Sequence, residues 1–286
     1  MSHAGHRSTS HNLCAYAVIG NPVAHSRSPD IHTAFAAQTD QAMTYTRLAC
    51  ELDAFADTVR AFFERGGRGL NVTVPFKQQA AAFADEVSVA AKAAGAVNTL
   101  VYQPNGSIRG DNTDGIGLVR DLTTNFGLPL AARRVLVLGA GGAVRGIVGP
   151  VLATAPAHLV IANRTLAKAQ TIATLFAADG AVSATTLAAA GVHGPFDVVI
   201  NAISAGLHGA MPALPDGLFA PDAAAYDMVY ADEPTPFLRW AERQQVRFRR
   251  DGFGMLVEQA AESFYLWRGV RPQTQAVIGQ LAPRLR

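Results

Sequence analysis

Short apolar segments alternate with segments of helical period through the first half of the chain. Residues 15–19 form an apolar strand that the turn-forming residues 20–22 end, and a second strand is predicted at residues 43–49. Ser28 followed by Pro29 predicts a helix start, because serine is a good N-cap and proline fits the first turn. Residues 52–65 carry phenylalanines and a valine on one helical face. Strand and helix in alternation predict a mostly parallel sheet.

Residues 71–74 alternate between polar and apolar side chains, which is typical of a short strand with one buried face. Pro75 has no amide hydrogen for a ladder, so we expect the strand to end there. Lys77 follows at once, at a position where α/β sheets form ligand crevices. A lysine there can transfer protons. The alternative is a surface lysine that opens a helix, and this segment taken alone favours the alternative.

The pattern continues with two short helices before Gly95 and a hairpin that joins residues 98–102 to 107–109. A long helix is predicted at residues 114–126. Four further apolar strands, at residues 134–138, 158–162, 196–200 and 225–229, have the rhythm of a doubly wound domain. A final amphipathic helix at residues 255–267 is expected to pack back on the first half. The predicted fold is α/β with two domains and a deep cleft between them.

Composition narrows the class of protein. Apolar residues make up 49% of the 286 residues and charged residues 16%, which suits two full cores. The net charge of +2, with dispersed Lys and Arg, does not favour nucleic acid as a partner. No long uncharged apolar run predicts a membrane span, and no cysteine or histidine spacing predicts a metal site. Residues 1–12 lack the apolar core of a secretory signal, so we expect a disordered tail and a cytoplasmic protein.

A glycine-rich turn follows the strand at residues 134–138. Residues 139–143 read Gly-Ala-Gly-Gly-Ala and lead into a helix, where backbone amides and the helix N-terminus can receive a pyrophosphate. Val144 occupies the third glycine position of the dinucleotide pattern, so the motif is incomplete. The strand–turn–helix context nevertheless predicts a dinucleotide site rather than a glycine turn made only for packing.

The next strand favours NADP over NAD. It ends in Asn163-Arg164-Thr165, with Lys168 one turn later and no acidic residue for ribose hydroxyls. The planar guanidinium of Arg164 can pair with a 2′-phosphate. The alternative for Arg164 and Lys168 is a solvated helix start.

The chain resembles the shikimate dehydrogenase family, whose members reduce 3-dehydroshikimate with NADPH, because several motifs occur in the same order. The resemblance runs from about Leu13 to the C-terminus and is carried by residues 20–29, 71–77, 95–99, 110–115, 139–143, 163–165 and 251–255. It implies a substrate domain at 13–113 together with helices at about 252–286, and a Rossmann-type NADP domain at 114–251. In two departures, Lys168 and Ile203 stand where many relatives carry Arg and Thr.

The resemblance also implies roles for individual residues. Lys77 and Asp114 match the catalytic pair. The family's substrate ligands match Ser26, Ser28, Asn71, Thr73, Asn98, Tyr230 and Gln259, together with Lys77 and Asp114. The cofactor positions match Gly139, Ala140, Gly141, Gly142, Ala143, Asn163, Arg164, Thr165, Lys168, Met228 and Gly252. The implied partner is a small molecule, and the implied assembly is a monomer or a homodimer.

Three alternatives stay open at this point. A quinate/shikimate dehydrogenase that uses NAD shares much of the pattern, although Arg164 argues against it. A non-catalytic protein that binds the same ligands is a second alternative, and the retained pair of Lys77 and Asp114 argues against that. A folate-linked dehydrogenase would not explain the two serines, Ser26 and Ser28.

Overall fold

The computed structural model describes residues 13–203 and 211–282, so the predicted tail at residues 1–12 lies outside the described part. The first half forms β1 (Cys14–Gly20), α1 (Ser28–Gln38), β2 (Met43–Ala49), α2 (Phe55–Glu64), β3 (Gly67–Val72), α3 (Lys77–Phe83), β4 (Glu86–Val87), α4 (Val89–Ala94), β5 (Thr99–Tyr102), β6 (Ile108–Asp111) and α5 (Asp114–Arg120). The second half forms β7 (Arg134–Leu138), α6 (Gly142–Leu152), β8 (His158–Asn163), α7 (Leu166–Leu175), β9 (Val182–Thr186), β10 (Phe196–Asn201), β11 (Phe219–Asp227), α8 (Pro236–Arg243), β12 (Phe248–Arg250), α9 (Phe253–Arg268) and α10 (Thr274–Leu281).

The strands form two six-stranded sheets, which confirms the two-domain α/β prediction. The first sheet has the order β2-β1-β3-β5-β6-β4, and only β5 runs antiparallel to its neighbours. The second has the order β12-β11-β10-β7-β8-β9, with every pair parallel. The strand order reverses between β7 and β10, and such a switch point forms the ligand crevice of doubly wound sheets.

Helix α9 packs against the first half of the chain, as predicted. Its apolar face joins Ile31 and Phe35 of α1 in one buried cluster with Phe264. Trp267 at its far end donates to the Leu100 carbonyl of β5 at 3.0 Å. Helix α9 comes after the second sheet along the chain, and it therefore returns the chain to the first sheet.

Two local predictions were wrong. Ser28 does not cap α1, because it is the first helical residue and the capping position belongs to Arg27, which makes no side-chain cap. Strand β3 begins at Gly67 and already ends at Val72, before the proline, because the chain turns with a bond from the Phe76 amide to the Thr73 carbonyl. The predicted helix at 114–126 is continuous in space, but after α5 it widens into a π-helical turn at Asp121–Asn125.

The predicted faces of the 71–74 segment were also wrong. Val74 is 61% exposed, whereas Asn71 is 5% exposed. Since the chain has already left the sheet at Val74, the period of two no longer applies there. Asn71 can be buried because its amide finds protein partners, and a polar group without partners would be costly to bury.

Candidate active site

A cavity of about 200 Å³ lies between the two sheets, and both halves of the chain contribute to its wall. All nine residues predicted to meet the substrate line it, namely Ser26, Ser28, Asn71, Thr73, Lys77, Asn98, Asp114, Tyr230 and Gln259. Two of the predicted cofactor residues, Met228 and Gly252, line it as well. The remaining wall is mainly apolar, with Val23, Met255 and Leu256 among its members. A small cavity with a few convergent polar groups is typical of a ligand site.

Lys77 and Asp114 form an ion pair in this cavity. Each is the first residue of a helix, α3 for Lys77 and α5 for Asp114, so both side chains project from turns at strand ends. Lys77 Nζ lies 2.6 Å from Asp114 Oδ2. The Asp114 side chain is 12% exposed and the Lys77 side chain is 30% exposed. The pair is thus fixed in the protein and still reachable from the cavity.

Asn98 holds the other oxygen of the carboxylate. Its Nδ2 donates to Asp114 Oδ1 at 2.8 Å, and its Oδ1 accepts from the Thr113 backbone amide at 2.9 Å. Both carboxylate oxygens therefore have a fixed donor. A carboxylate with two fixed donors is well oriented toward a neighbouring hydroxyl.

The two serines lie at the N-terminus of α1. The Ser28 amide donates to Ser26 Oγ at 3.3 Å. Arg47 holds the Ser26 carbonyl through Nη2 at 2.6 Å and Nε at 3.0 Å. Hydroxyl groups at the N-terminus of an eleven-residue helix suit an anionic group, because the helix dipole favours negative charge there.

Asn71 is held in place by hydrogen bonds to buried side chains. Its Oδ1 lies 2.7 Å from the Tyr45 hydroxyl and 3.1 Å from His32 Nε2, and both donate to it. Its Nδ2 donates to Ser263 Oγ at 2.9 Å. Burial lowers the pKa of His32 to about 3, so the ring is neutral at pH 7, and the bond to Asn71 opposes this shift only in part. The Asn71 side chain thus lines the cavity and also connects the buried side chains behind it.

Tyr230 closes the cavity from the second half of the chain. Its ring packs edge-on against Phe253 with the centroids 5.9 Å apart. Burial raises the pKa of its phenol above the ordinary value, and Arg27 opposes the shift. The hydroxyl therefore stays protonated near neutral pH and can donate a hydrogen bond.

The glycine turn has the geometry that a pyrophosphate needs. Gly139 has φ +113°, which favours glycine, and its amide donates to the Ala162 carbonyl at 2.7 Å. A Cβ built at Gly141 or Gly142 would meet no atom within 4 Å, so the space in front of α6 is open. Val144, at the incomplete third position, is buried in the core of the second sheet. The turn thus fits a dinucleotide despite the departure.

The end of β8 carries exposed positive charge. Arg164, Thr165 and Lys168 are exposed, and Asn163 Nδ2 fixes the turn by donating to the Thr165 carbonyl at 2.9 Å. In the described part of the chain neither Arg164 nor Lys168 forms an ion pair. The donor set therefore suits an extra phosphate on the ribose.

Sequence reasoning missed the residues behind the cavity wall. His32, Tyr45, Thr113 and Ser263 are buried and hydrogen-bonded to the lining amides. Only Thr113 carried a signal, because it adjoins Asp114 in the 110–115 motif. Across residues 13–203 and 211–282, no three His, Cys, Asp or Glu side chains cluster as metal ligands would, and no helix is long and apolar enough to cross a bilayer.

Comparisons with known proteins agree with this geometry. Three family models match the chain: a shikimate dehydrogenase substrate binding domain at residues 18–100, a shikimate / quinate 5-dehydrogenase at 122–208, and a shikimate 5′-dehydrogenase C-terminal domain at 252–281. The shikimate dehydrogenase (NADP(+)) of Alkalilimnicola ehrlichii is 57% identical, over 94% of this chain and 98% of its own. That of Alcanivorax borkumensis is 55% identical, over 93% and 95%.

A solved structure extends the likeness to three dimensions. The crystal structure of shikimate 5-dehydrogenase from Thermus thermophilus, in complex with NADP(H) and shikimate, superposes with a TM-score of 0.81. It is 35% identical and covers 92% of this chain and 96% of its own. Matches of this extent, over both sheets and the returning helix α9, place the chain in the shikimate dehydrogenase family.

Proposed function

We propose that the protein catalyses the reversible NADPH-dependent reduction of 3-dehydroshikimate to shikimate, a step in the biosynthesis of chorismate and the aromatic amino acids. The observation that carries the proposal is the Lys77–Asp114 pair at 2.6 Å in a cavity that both halves of the chain line. A proton-transfer pair so placed suits a ketone reductase better than a protein that only binds ligands. The family membership gives the substrate.

The substrate residues fall into two groups by chemistry. Ser26 and Ser28 would bind the carboxylate, because their hydroxyls lie at the N-terminus of α1. The ring and its hydroxyls would be held by the other lining residues, namely Asn71, Thr73, Asn98, Tyr230 and Gln259. Asn71 and Asn98 would act mainly by keeping neighbouring side chains in place. Such fixed contacts prevent the ring from turning between productive and unproductive poses.

The dinucleotide would be held by the second sheet. Its pyrophosphate would lie on Gly139, Ala140, Gly141, Gly142 and Ala143, its 2′-phosphate on Arg164, Thr165 and Lys168 beside Asn163, and its nicotinamide end near Met228 and Gly252. When bound, NADPH supplies the hydride that the ketone carbon accepts. The open space before α6 and the exposed cations at β8 support this assignment.

The protein supplies the proton. As the ketone carbon is reduced, the oxygen becomes an alkoxide, and Lys77 Nζ protonates it. Asp114 bonds the neighbouring hydroxyl and keeps Lys77 in place through Oδ2. In the oxidative direction Lys77 accepts the proton instead, so the same pair serves both directions.

The proposed domain boundaries follow the two sheets. Residues 13–113 with the helices at about 252–286 form the substrate domain, and residues 114–251 form the NADP domain. Helix α5 starts at this boundary and packs against both α6 and α9, which supports a division near Asp114. Because both ligands are small and water-soluble, we propose a cytoplasmic enzyme, either a monomer or a homodimer, that needs no membrane or nucleic acid.

A substrate and cofactor comparison tests the proposal. Oxidation of shikimate by NADP is followed through NADPH absorbance, beside quinate and beside NAD. Turnover that is fastest with shikimate and NADP is expected. Faster turnover with quinate and NAD would support the quinate/shikimate dehydrogenase instead, and ligand-induced melting shifts without any absorbance change would support a non-catalytic binder.

A further inference from the structure

Thr113 lies directly behind the active site. It precedes Asp114 at the start of α5, it is 1% exposed, and it is absent from the described lining of the cavity. Its backbone and its hydroxyl nevertheless contact two lining amides, Asn98 before β5 and Gln259 on α9. One buried residue thus connects two side chains from distant parts of the chain.

The backbone of Thr113 decides which way Asn98 faces. The Thr113 amide can only donate, and it lies 2.9 Å from Asn98 Oδ1. The NH₂ group of Asn98 must therefore face the opposite direction, where it donates to Asp114 Oδ1 at 2.8 Å and to Thr113 Oγ1 at 3.0 Å. If the Asn98 amide were flipped, its oxygen would face a carboxylate oxygen of Asp114, and neither atom could donate a hydrogen.

The hydroxyl of Thr113 contributes to the direction in which Gln259 faces. Thr113 Oγ1 accepts from Asn98 Nδ2 at 3.0 Å, and its own hydrogen can be donated to Gln259 Oε1 at 3.3 Å or to Asn98 Oδ1 at 3.2 Å. Asn98 Nδ2 also lies 3.3 Å from Gln259 Oε1. The Leu256 carbonyl, which can only accept, fixes the other end of the side chain, because Gln259 Nε2 donates one hydrogen to it at 2.9 Å. Its second N–H has no protein partner among the described residues.

We propose that Thr113 is a positioning residue for the reaction: it orients Gln259 as a hydrogen-bond donor to a substrate oxygen and orients Asn98 as the support of Asp114. The inference rests on the function proposed above. It assigns Gln259 a definite polarity, so that the side chain binds a hydroxyl or carbonyl oxygen of the substrate through its second N–H. It also explains why a buried threonine hydroxyl is placed between two amides.

A pair of substitutions separates the hydroxyl from the shape of the side chain. Thr113→Val keeps the shape and removes the hydroxyl, while Thr113→Ser keeps the hydroxyl. We expect Thr113→Val to lower kcat/KM for shikimate at least about tenfold, with the KM for shikimate raised, because hydrogen bonds to two amides are lost. Thr113→Ser should stay within about threefold of wild type, and the KM for NADP should change by less than about twofold in both.

Two further variants complete the design. Thr185→Val removes the hydroxyl of a threonine that is 5% exposed in β9, an edge strand of the second sheet, and does not line the cavity, so kcat/KM should not change. In a Gln259→Leu background, Thr113→Val should lower kcat/KM by less than about a further threefold, because the amide that Thr113 orients is already absent. Melting temperatures are measured throughout, and Thr113→Ala, which adds no bulk, takes the place of Thr113→Val if the valine variant does not fold.

Each outcome decides the matter. A Thr113→Val enzyme with wild-type kcat/KM overturns the inference, and so does a Thr113→Ser enzyme that is equally impaired. A wild-type protein that does not oxidise shikimate overturns the proposed function as well, whereas an active wild type with an unaffected valine variant overturns the positioning role alone.

Discussion

At the scale of the residue, the cavity contains a carboxylate whose two oxygens contact different groups. Asn98 holds Asp114 Oδ1 at 2.8 Å, and Lys77 is bound to Oδ2 at 2.6 Å. The ammonium keeps access to the cavity because about one-third of its side chain is exposed. Fixed geometry of this kind allows proton transfer without a reorganisation of the site.

Removal of the ammonium tests this assignment. Lys77→Ala is expected to lower kcat by about 10²- to 10⁴-fold with a modest change in KM, because general acid–base help is lost. The measurement is steady-state oxidation of shikimate with NADP. Lys92→Ala, an exposed lysine on α4, is the matched control and should retain wild-type kcat. An unchanged kcat in the Lys77 variant would refute the catalytic role.

His32 links protonation to stability. Burial lowers the pKa of its folded-state imidazole to about 3, against an ordinary value near 6.5. Between these pH values the unfolded chain binds a proton that the folded protein does not, so stability falls as the pH falls through this window. We expect this residue to remove about 2 kcal/mol of unfolding free energy between pH 7 and pH 5.

Denaturant unfolding at several pH values measures this effect. His32→Gln keeps a donor for Asn71 but does not titrate, so its unfolding free energy should fall by about 2 kcal/mol less than that of wild type over the same interval. Parallel pH dependence in both proteins would show that His32 does not bind the proton on unfolding.

At the scale of the element, α5 connects the two domains through close helix contacts at two glycines. A Cβ at Gly117 would lie 2.8 Å from the backbone nitrogen of Gln259 on α9, and one at Gly115 would lie 2.4 Å from the Gly146 carbonyl on α6. Glycine lets these backbones approach. The position of Gln259 therefore depends on the packing of α5 against α9.

A single added methyl group tests this contact. Gly117→Ala should destabilise the protein by about 1–3 kcal/mol, because a backbone atom cannot move aside as a flexible side chain can. It should also raise the KM for shikimate by displacing Gln259. Denaturant unfolding and steady-state kinetics measure the two effects.

Another helical glycine gives the matched control. A Cβ at Gly279 in α10 meets no atom within 4 Å. Gly279→Ala should therefore leave kinetics unchanged and stabilise by about 0.5–1 kcal/mol, since alanine favours the helix. Equal stability changes at the two positions would mean that the α5–α9 contact can relax.

At the scale of the whole molecule, the proposed substrate and cofactor residues lie mainly on different sheets. Most of the proposed substrate residues belong to the first half of the chain, whereas the glycine turn and the cations follow β7 and β8 of the second. Met228 and Gly252, two of the proposed cofactor residues, line the same cavity as the proposed substrate residues. Changes at β8 should therefore affect one ligand without the other.

Arg164 tests this separation. Arg164→Ala should raise the KM for NADP at least about tenfold, because charge-assisted bonds to the 2′-phosphate are lost. The KM for shikimate and the rate measured with NAD should stay the same. Arg65→Ala, an exposed arginine after α2, should change none of these values. An equal loss with NAD and NADP would show that Arg164 does not contact the 2′-phosphate.

The sequence by itself determined the features that depend on local order. Strand, turn and helix around Gly139 and the cations after β8 are encoded within a few residues, so their patterns predicted them. The alternation of strands and helices also predicted mostly parallel sheets, because a connection between parallel strands needs a crossover. Family motifs then predicted the cavity residues that the structure brings together.

Only the tertiary structure decided how those residues are held. Asn71 reads as a strand residue with a polar face, yet it is buried because Tyr45, His32 and Ser263 satisfy its amide from distant elements. Thr113 and Gln259 are 146 residues apart, and their contact exists because α9 returns to the first sheet. Amide direction depends on donors across such contacts, which local periodicity does not contain, and so the polarity of the active site is a property of the folded molecule.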